Sequence, residues 1–172
     1  MSIKRVCFTG HRPEKIAGWS ENPEAIERSV RAALAEEIVR CVADGAERFL
    51  CGMAPGFDLW AADELLRLRV EGGVGGDVEL VAVVPHEGFS RTFDEASKAL
   101  YEEVLAAASE VVMLSPHYYH QCYARRNRYL VDNADFVVAY YEGASGGTRQ
   151  TIDYARKQGR GVVNLHQPTL FP

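Results

Sequence analysis

The sequence predicts an α/β protein built on a doubly wound, mostly parallel sheet of about six strands with helices on both faces. Three observations carry this. Short apolar runs alternate with amphipathic helical segments along the chain. The runs are apolar residue after residue, as in parallel strands buried on both faces, rather than alternating with polar residues. Glycine, proline and other turn formers mark the boundaries.

Ile3 to Thr9 reads as the first strand. Asn22 stands as an N-cap before Pro23 at the first helical position, and Ile26, Val30, Leu34, Ile38 and Val42 then recur at helical spacing until Gly45. Arg48 to Cys51 is a short second strand, and Asp58 is placed to cap a helix running to about Arg69. Gly72 to Gly76 is a flexible connection too short to separate domains. Val78 to Val84 is the third strand. Thr92 with Glu95 three residues later has the pattern of a capping box, before a helix with Ala96, Leu100, Val104 and Ala107 on one face. Val111 to Leu114, Asp135 to Tyr140 and Gly161 to Leu165 read as the remaining strands, with helices over about Tyr123 to Asn133 and Thr148 to Gln158. No repeat or low-complexity tract interrupts this order.

Composition bounds the function. At 172 residues the chain is expected to form one domain over positions 1–172, large enough to bury a core without disulfides or a structural metal. Hydrophobic residues at 47% and charged residues at 25% are globular usage and exclude a disordered chain. The 19 basic and 24 acidic residues leave a formal charge of −5, which argues against a general nucleic-acid coat, since such binding rests on neutralising many phosphates. No apolar run approaches the roughly 20 residues of a membrane span. Met1 to Val6 runs straight into a strand pattern and lacks the features of a signal peptide. Cys7, Cys41, Cys51 and Cys122 form no C-x-x-C pair and read as buried thiols of a reducing compartment, so the expectation is a cytoplasmic protein without a metal cluster.

Doubly wound sheets bind ligands beyond the carboxyl ends of their strands, where strand order reverses. After the first strand comes Thr9-Gly10-His11-Arg12-Pro13, a turn whose hydroxyl, imidazole and guanidinium can meet an anion. After the second comes Gly52-Met53-Ala54-Pro55-Gly56-Phe57-Asp58, with two glycines four apart opening a helix. Pro85, His86 and Glu87 follow the third strand, and Glu142 to Thr148, with Gly146 and Gly147, follows the fifth. Each loop alone is ordinary turn chemistry; together, at one sheet edge, they point to a phosphate site. There is no G-x-G-x-x-G with a following acidic residue, no Walker lysine and no G-x-S-x-G elbow, which disfavours dinucleotide dehydrogenases, P-loop NTPases and α/β-hydrolases.

Individual residues divide between function and structure. Arg12 suits a bidentate phosphate clamp, against a surface pair with Glu14. Asp58 suits a ribose hydroxyl, against an N-cap. Glu142, Glu87 and Asp58 are the carboxylates at strand ends able to assist glycosidic-bond cleavage. His117-Tyr118-Tyr119-His120 is weak as a metal pair; with Tyr123 it suits packing on a base or on a second subunit, and a homo-oligomer is expected.

Several of these stretches resemble a known family. Thr9-Gly10-His11-Arg12-Pro13, Gly52 to Ala62, Arg126-Asn127 with Val131 to Asp135, and Gly146-Gly147-Thr148 with Tyr154-Ala155 are similar, in order, to the signatures of the bacterial family typified by YpsA, over about Ile3 to Asn164. That family belongs to the SLOG superfamily, with the LOG-type nucleotide phosphoribohydrolases and the DNA-processing protein A as relatives. The resemblance implies a Rossmann-like fold binding a nucleotide or nucleotide-derived ligand, and it alone draws Arg126 and Asn127 to the site. The implied ligand contacts are Thr9, Gly10, His11, Arg12, Gly52, Ala54, Gly56, Asp58, Pro85, Arg126, Asn127, Gly146, Gly147 and Thr148, with no cofactor required. LOG-type hydrolases carry Pro-Gly-Gly-x-Gly-Thr-x-x-Glu; here Thr151 falls at the glutamate, which puts that activity in doubt, and Cys51 replaces the serine of the DNA-processing protein's loop. The expected function is binding of an ADP-ribose-like ligand as a cytosolic sensor. The alternative is an enzyme acting on an N-glycosidic bond, and a nucleic-acid or protein adaptor is a third reading, disfavoured by charge.

Overall fold

The structure, a computed structural model, describes residues 3–166. Strands β1 (Arg5–Gly10), β2 (Arg48–Cys51), β3 (Glu79–Val84), β4 (Glu110–Met113), β5 (Phe136–Tyr140) and β6 (Gly161–Asn164) form one sheet in the order β4-β3-β2-β1-β5-β6. Every pairing is parallel. The order reverses between β1 and β5, where Gly10 lies opposite Tyr140. This is the predicted Rossmann-like α/β architecture.

Side chains of successive strand residues point to opposite faces, and here both faces are apolar. Val6, Phe8, Phe49, Cys51, Leu80, Ala82 and Val84 pack with α1 (Pro23–Ala43), α2 (Phe57–Glu71) and α3 (Glu95–Ala107). Cys7, Leu50, Val81, Val83 and Val137 pack with α4 (Cys122–Asp132) and α5 (Gly147–Lys157). This explains the continuous apolar runs. All four cysteines are free and buried, and burial pushes the Cys7 and Cys51 thiols far above their ordinary range.

The predicted elements all appear, with ends displaced by a residue or two; Ile3, Val78 and Leu165 fall just outside their strands. Two 3-10 turns, Pro13–Lys15 and Phe89–Thr92, were not anticipated. The caps differ more. Asn22 occupies the N-cap of α1 without a side-chain bond, so Pro23 and the backbone alone mark that start. Thr92 ends a 3-10 turn, and Asp94 caps α3 instead, accepting from the Ser97 backbone N–H at 2.9 Å and from its hydroxyl at 2.7 Å. Asp58 is no cap: Gly56, at φ +86°, holds that place for α2, and Asp58 lies inside the first turn.

The two ends of the sheet differ in chemistry. At the amino ends of the strands a depression of about 920 Å³ is lined largely by charges that pair with one another. Asp135 accepts from the Arg5 backbone at 2.9 Å and pairs with its guanidinium at 3.0 Å, and Arg48 pairs with Glu79 at 2.6 Å. At the carboxyl ends Arg12, Lys15 and Arg126 form no ion pair among the described residues. Among the described residues no helix is long and apolar enough to cross a membrane.

Candidate functional site

Three loops and one helix enclose a cleft of about 410 Å³ beyond the carboxyl ends of β1 and β5. Its walls are Thr9, Gly10, His11, Arg12 and Lys15 from the first loop, Ala54 and Asp58 from the second, Tyr123, Arg126 and Asn127 from α4, and Gly147 and Thr148 from the first turn of α5. Such a volume suits a small ligand, and the start of α5 adds the positive end of a helix dipole.

The first loop owes its position to packing. Gly10 is the last residue of β1, and a Cβ there would enter the Phe57 ring, which stacks on Tyr140 at 5.9 Å. Its absent side chain therefore seats α2 against the sheet. Gly56 takes a positive φ, and a Cβ would stand 2.7 Å from Pro13 and 2.9 Å from the His11 carbonyl. The Phe57 N–H donates to that carbonyl at 3.3 Å.

His11 is only 3% exposed. Its Nε2 accepts from the Glu142 backbone N–H at 3.1 Å, so the ring latches the β5–α5 loop. Burial lowers its pKa below the ordinary 6.5, against a raising effect of Glu142. It is therefore a neutral wall of the cleft rather than an anion-binding cation.

In the second loop, Met53 is fully buried at φ +63°, a conformation rare for a non-glycine residue. Asp58 folds back so that Oδ2 accepts from the Ala54 N–H at 3.4 Å. Burial pushes its carboxyl up to about 6, while the Arg126 charge, the Ala54 bond and the Arg12 charge pull it back.

Arg126 is buried at 6% exposure, whereas Arg125 and Arg128 on the same helix are exposed. Its Nη1 donates to the Gly52 carbonyl and its Nε to the Asn127 side-chain oxygen at 2.8 Å. A Cβ on Gly52 would stand 2.9 Å from the Arg126 Cδ and 3.0 Å from Asp58 Oδ2, so that glycine makes room for both. The guanidinium carbon lies 5.7 Å from the Phe89 ring and 6.0 Å from the Tyr123 ring. Desolvation lowers its pKa, and Asp58 opposes that effect.

Arg12, Lys15 and Arg126 thus meet at the cleft, and among the described residues none lies within 4.0 Å of a carboxylate oxygen. The surface pair of Arg12 with Glu14 does not form. Of the three carboxylates at strand ends, only Asp58 faces the cleft. Glu142 turns to the other side of the first loop, accepting from the Ala17 N–H at 2.8 Å and the Tyr140 hydroxyl at 3.2 Å. Glu87 is exposed and outside the cleft. Gly52 and Gly56 stand behind the wall; Gly146 is the N-cap of α5, and buried Pro85 lies beyond the lining. Thr151 donates from Oγ1 to the Gly147 carbonyl at 2.7 Å, a bond that commits its hydroxyl to the start of α5. Among the described residues no group of three or more His, Cys, Asp or Glu side chains comes together to hold a metal.

Sequence reasoning missed Lys15 as a cleft residue, and it assigned Tyr123 to packing on a base or a subunit. Both had a local signal: Lys15 shares the turn of Arg12, and Tyr123 precedes Arg126 by three residues on one helix face.

Residues 6–162 match the YpsA family model, described as the YspA SLOG family. A UPF0398 protein of Bacillus cereus is 23% identical over 167 residues, covering 95% of this chain and 88% of that protein. DNA processing protein A from Streptococcus pneumoniae superposes with a TM-score of 0.63 at 17% identity, over 98% of this chain and 52% of that one, so the chain spans about half of it. The Helicobacter pylori protein of the same name, whose structure concerns its single-stranded DNA binding mode, superposes with a TM-score of 0.60 at 15% identity, over 97% and 67%.

Proposed function

The chain belongs to the YspA SLOG family, and from that premise we propose that the cleft binds a small phosphorylated nucleotide-type ligand, such as an ADP-ribose-like molecule, as a cytosolic sensor. One observation carries the reading: Arg12, Lys15 and Arg126 converge at the strand-order reversal, and among the described residues none of them forms an ion pair within 4.0 Å, in a chain of net charge −5. Three cations gathered without an ion pair in an acidic protein favour an anion, and guanidinium groups favour phosphate. The first turn of α5 supports the same end of the ligand.

A second reading, cleavage of an N-glycosidic bond, is favoured by Asp58 alone. It is buried, faces the cleft and titrates near 6, which suits proton transfer near neutrality. Glu142 is committed to the Ala17 and Tyr140 bonds.

Thermal denaturation in the presence of ADP-ribose tests the binding reading. Ligand at about 100 times its Kd adds roughly 2.7 kcal/mol to stability. No stabilisation at millimolar ADP-ribose, or by nucleoside monophosphates, refutes it. Release of free base or ribose during the incubation, abolished by Asp58→Asn, moves the assignment to the enzyme.

A further inference from the structure

Beside Arg126 stands a corner of aromatic rings. Tyr123, in the first turn of α4, lines the cleft. The Tyr118 ring lies 6.0 Å from it, with the planes at 62°. Behind them, His86 lies 5.5 Å from Tyr118 and 5.9 Å from Tyr123, and Phe89 lies 5.5 Å from Tyr123. His86 Nδ1 donates to the Glu87 carbonyl at 2.8 Å, which fixes the inner ring. His86 and Phe89 are buried at 8% and 3% exposure, while Tyr118 and Tyr123 remain 59% and 39% exposed. Neither outer phenol makes a hydrogen bond among the described residues.

The inner rings are therefore a rigid backing, and the outer two rings stay partly exposed. They continue the cleft outward from its cations: the Arg126 guanidinium is 6.0 Å from the Tyr123 ring. A phosphate beside Arg126 would carry whatever is attached to it past Tyr123. Tyrosine faces stack well on planar heterocycles, and two rings at a steep angle offer one face for stacking and one edge for closure.

Resting on the reading of the cleft as a phosphate site, we propose that Tyr118 and Tyr123 form a subsite for the ligand's planar base. The ligand class is then a nucleotide with its base in place, and a base-free sugar phosphate lacks half of the contacts. Stacking on one aromatic side chain accounts for roughly a five- to hundredfold change in affinity when that side chain is removed.

The experiment is calorimetric titration of wild type, Tyr118→Ala, Tyr123→Ala and Tyr123→Phe with the four common nucleoside monophosphates and with ribose 5-phosphate. At least one nucleotide is expected to bind wild type more tightly than ribose 5-phosphate does. Each alanine variant should lose roughly five- to hundredfold toward that nucleotide, with ribose 5-phosphate unchanged and Tyr123→Phe retaining affinity. Equal binding of nucleotides and ribose 5-phosphate, or alanine variants without effect, overturns the base subsite and leaves the phosphate site standing. Failure of every phosphorylated compound to bind wild type overturns both. Affinity for oligothymidylate that exceeds every mononucleotide and rises with length overturns the small-ligand assignment in favour of a single strand.

Discussion

The Arg126 side chain donates to the main-chain carbonyl of Gly52, 74 residues earlier in the chain. This bond ties α4, on one face of the sheet, to the loop that opens α2 on the other, and it sets the floor of the cleft. Removing the guanidinium leaves a buried carbonyl without its donor, at a cost of about 1–3 kcal/mol. Arg126→Met should lose that much in urea denaturation. Arg126→Lys should recover only part, because a single ammonium does not reproduce the forked geometry that serves Gly52 and Asn127 together. A Met variant of wild-type stability would show the bond to be dispensable.

Arg12 separates binding from stability. It makes no ion pair or side-chain hydrogen bond among the described residues, and it lies on a loop. Arg12→Ala should weaken ADP-ribose binding by roughly 1.5–3 kcal/mol while the melting temperature stays close to wild type. Arg12→Lys should restore a fraction of the affinity. Equal ADP-ribose affinities for all three proteins in calorimetry would remove Arg12 from the ligand.

Asp58 makes stability depend on pH in a definite direction. Its carboxyl rises from 3.8 in the unfolded chain to about 6 in the fold, because burial penalises the charge. The folded protein therefore holds this proton more tightly than the unfolded chain does. Well below pH 4 both states are protonated and the group costs nothing. As pH rises from about 4 through 6 the unfolded chain gives up its proton before the fold does, and the cost grows to about 3 kcal/mol, where it stays once the folded state too carries the carboxylate. Asp58→Asn does not ionise, so its stability relative to wild type should climb between about pH 4 and 7 and then level off. A difference independent of pH over that range would contradict the raised carboxyl.

The same titration should reach the ligand. A neutral Asp58 leaves the neighbouring cations unopposed, so ADP-ribose, whose diphosphate diester keeps its charge across this range, should bind more tightly at about pH 5.5 than at pH 8. Asp58→Asn should bind with a nearly flat profile. A wild-type affinity that falls on acidification would show that the ionised carboxylate serves the ligand instead.

Gly10 is a packing position. A methyl group there meets the Phe57 ring, and Phe57 is fully buried between Phe8 and Tyr140. Gly10→Ala should cost roughly 1–3 kcal/mol through overpacking. Gly10→Ala with Phe57→Leu should recover part of that loss; a single variant as stable as wild type would mean that α2 shifts freely.

The order of elements, the parallel sheet and its two apolar faces were legible in the sequence, because helical and strand periodicities are written in residues a few positions apart. So was the gathering of Thr9 to Arg12, Ala54 to Asp58 and Gly147 to Thr148 at one edge, since each group directly follows a strand and parallel strands all end on the same side. What the tertiary structure alone decided was which charges face inward. Arg125, Arg126 and Arg128 are chemically alike in the sequence, yet only Arg126 is buried, because the rotation of α4 on the sheet aims it at a carbonyl 74 residues away. Asp58 and Glu142 both follow strands, yet Glu142 is drawn to Ala17 and Tyr140 while Asp58 turns back toward Ala54. Periodicity is a property of near neighbours. The fate of a charge depends on partners brought near by packing, and a linear chain does not record that distance.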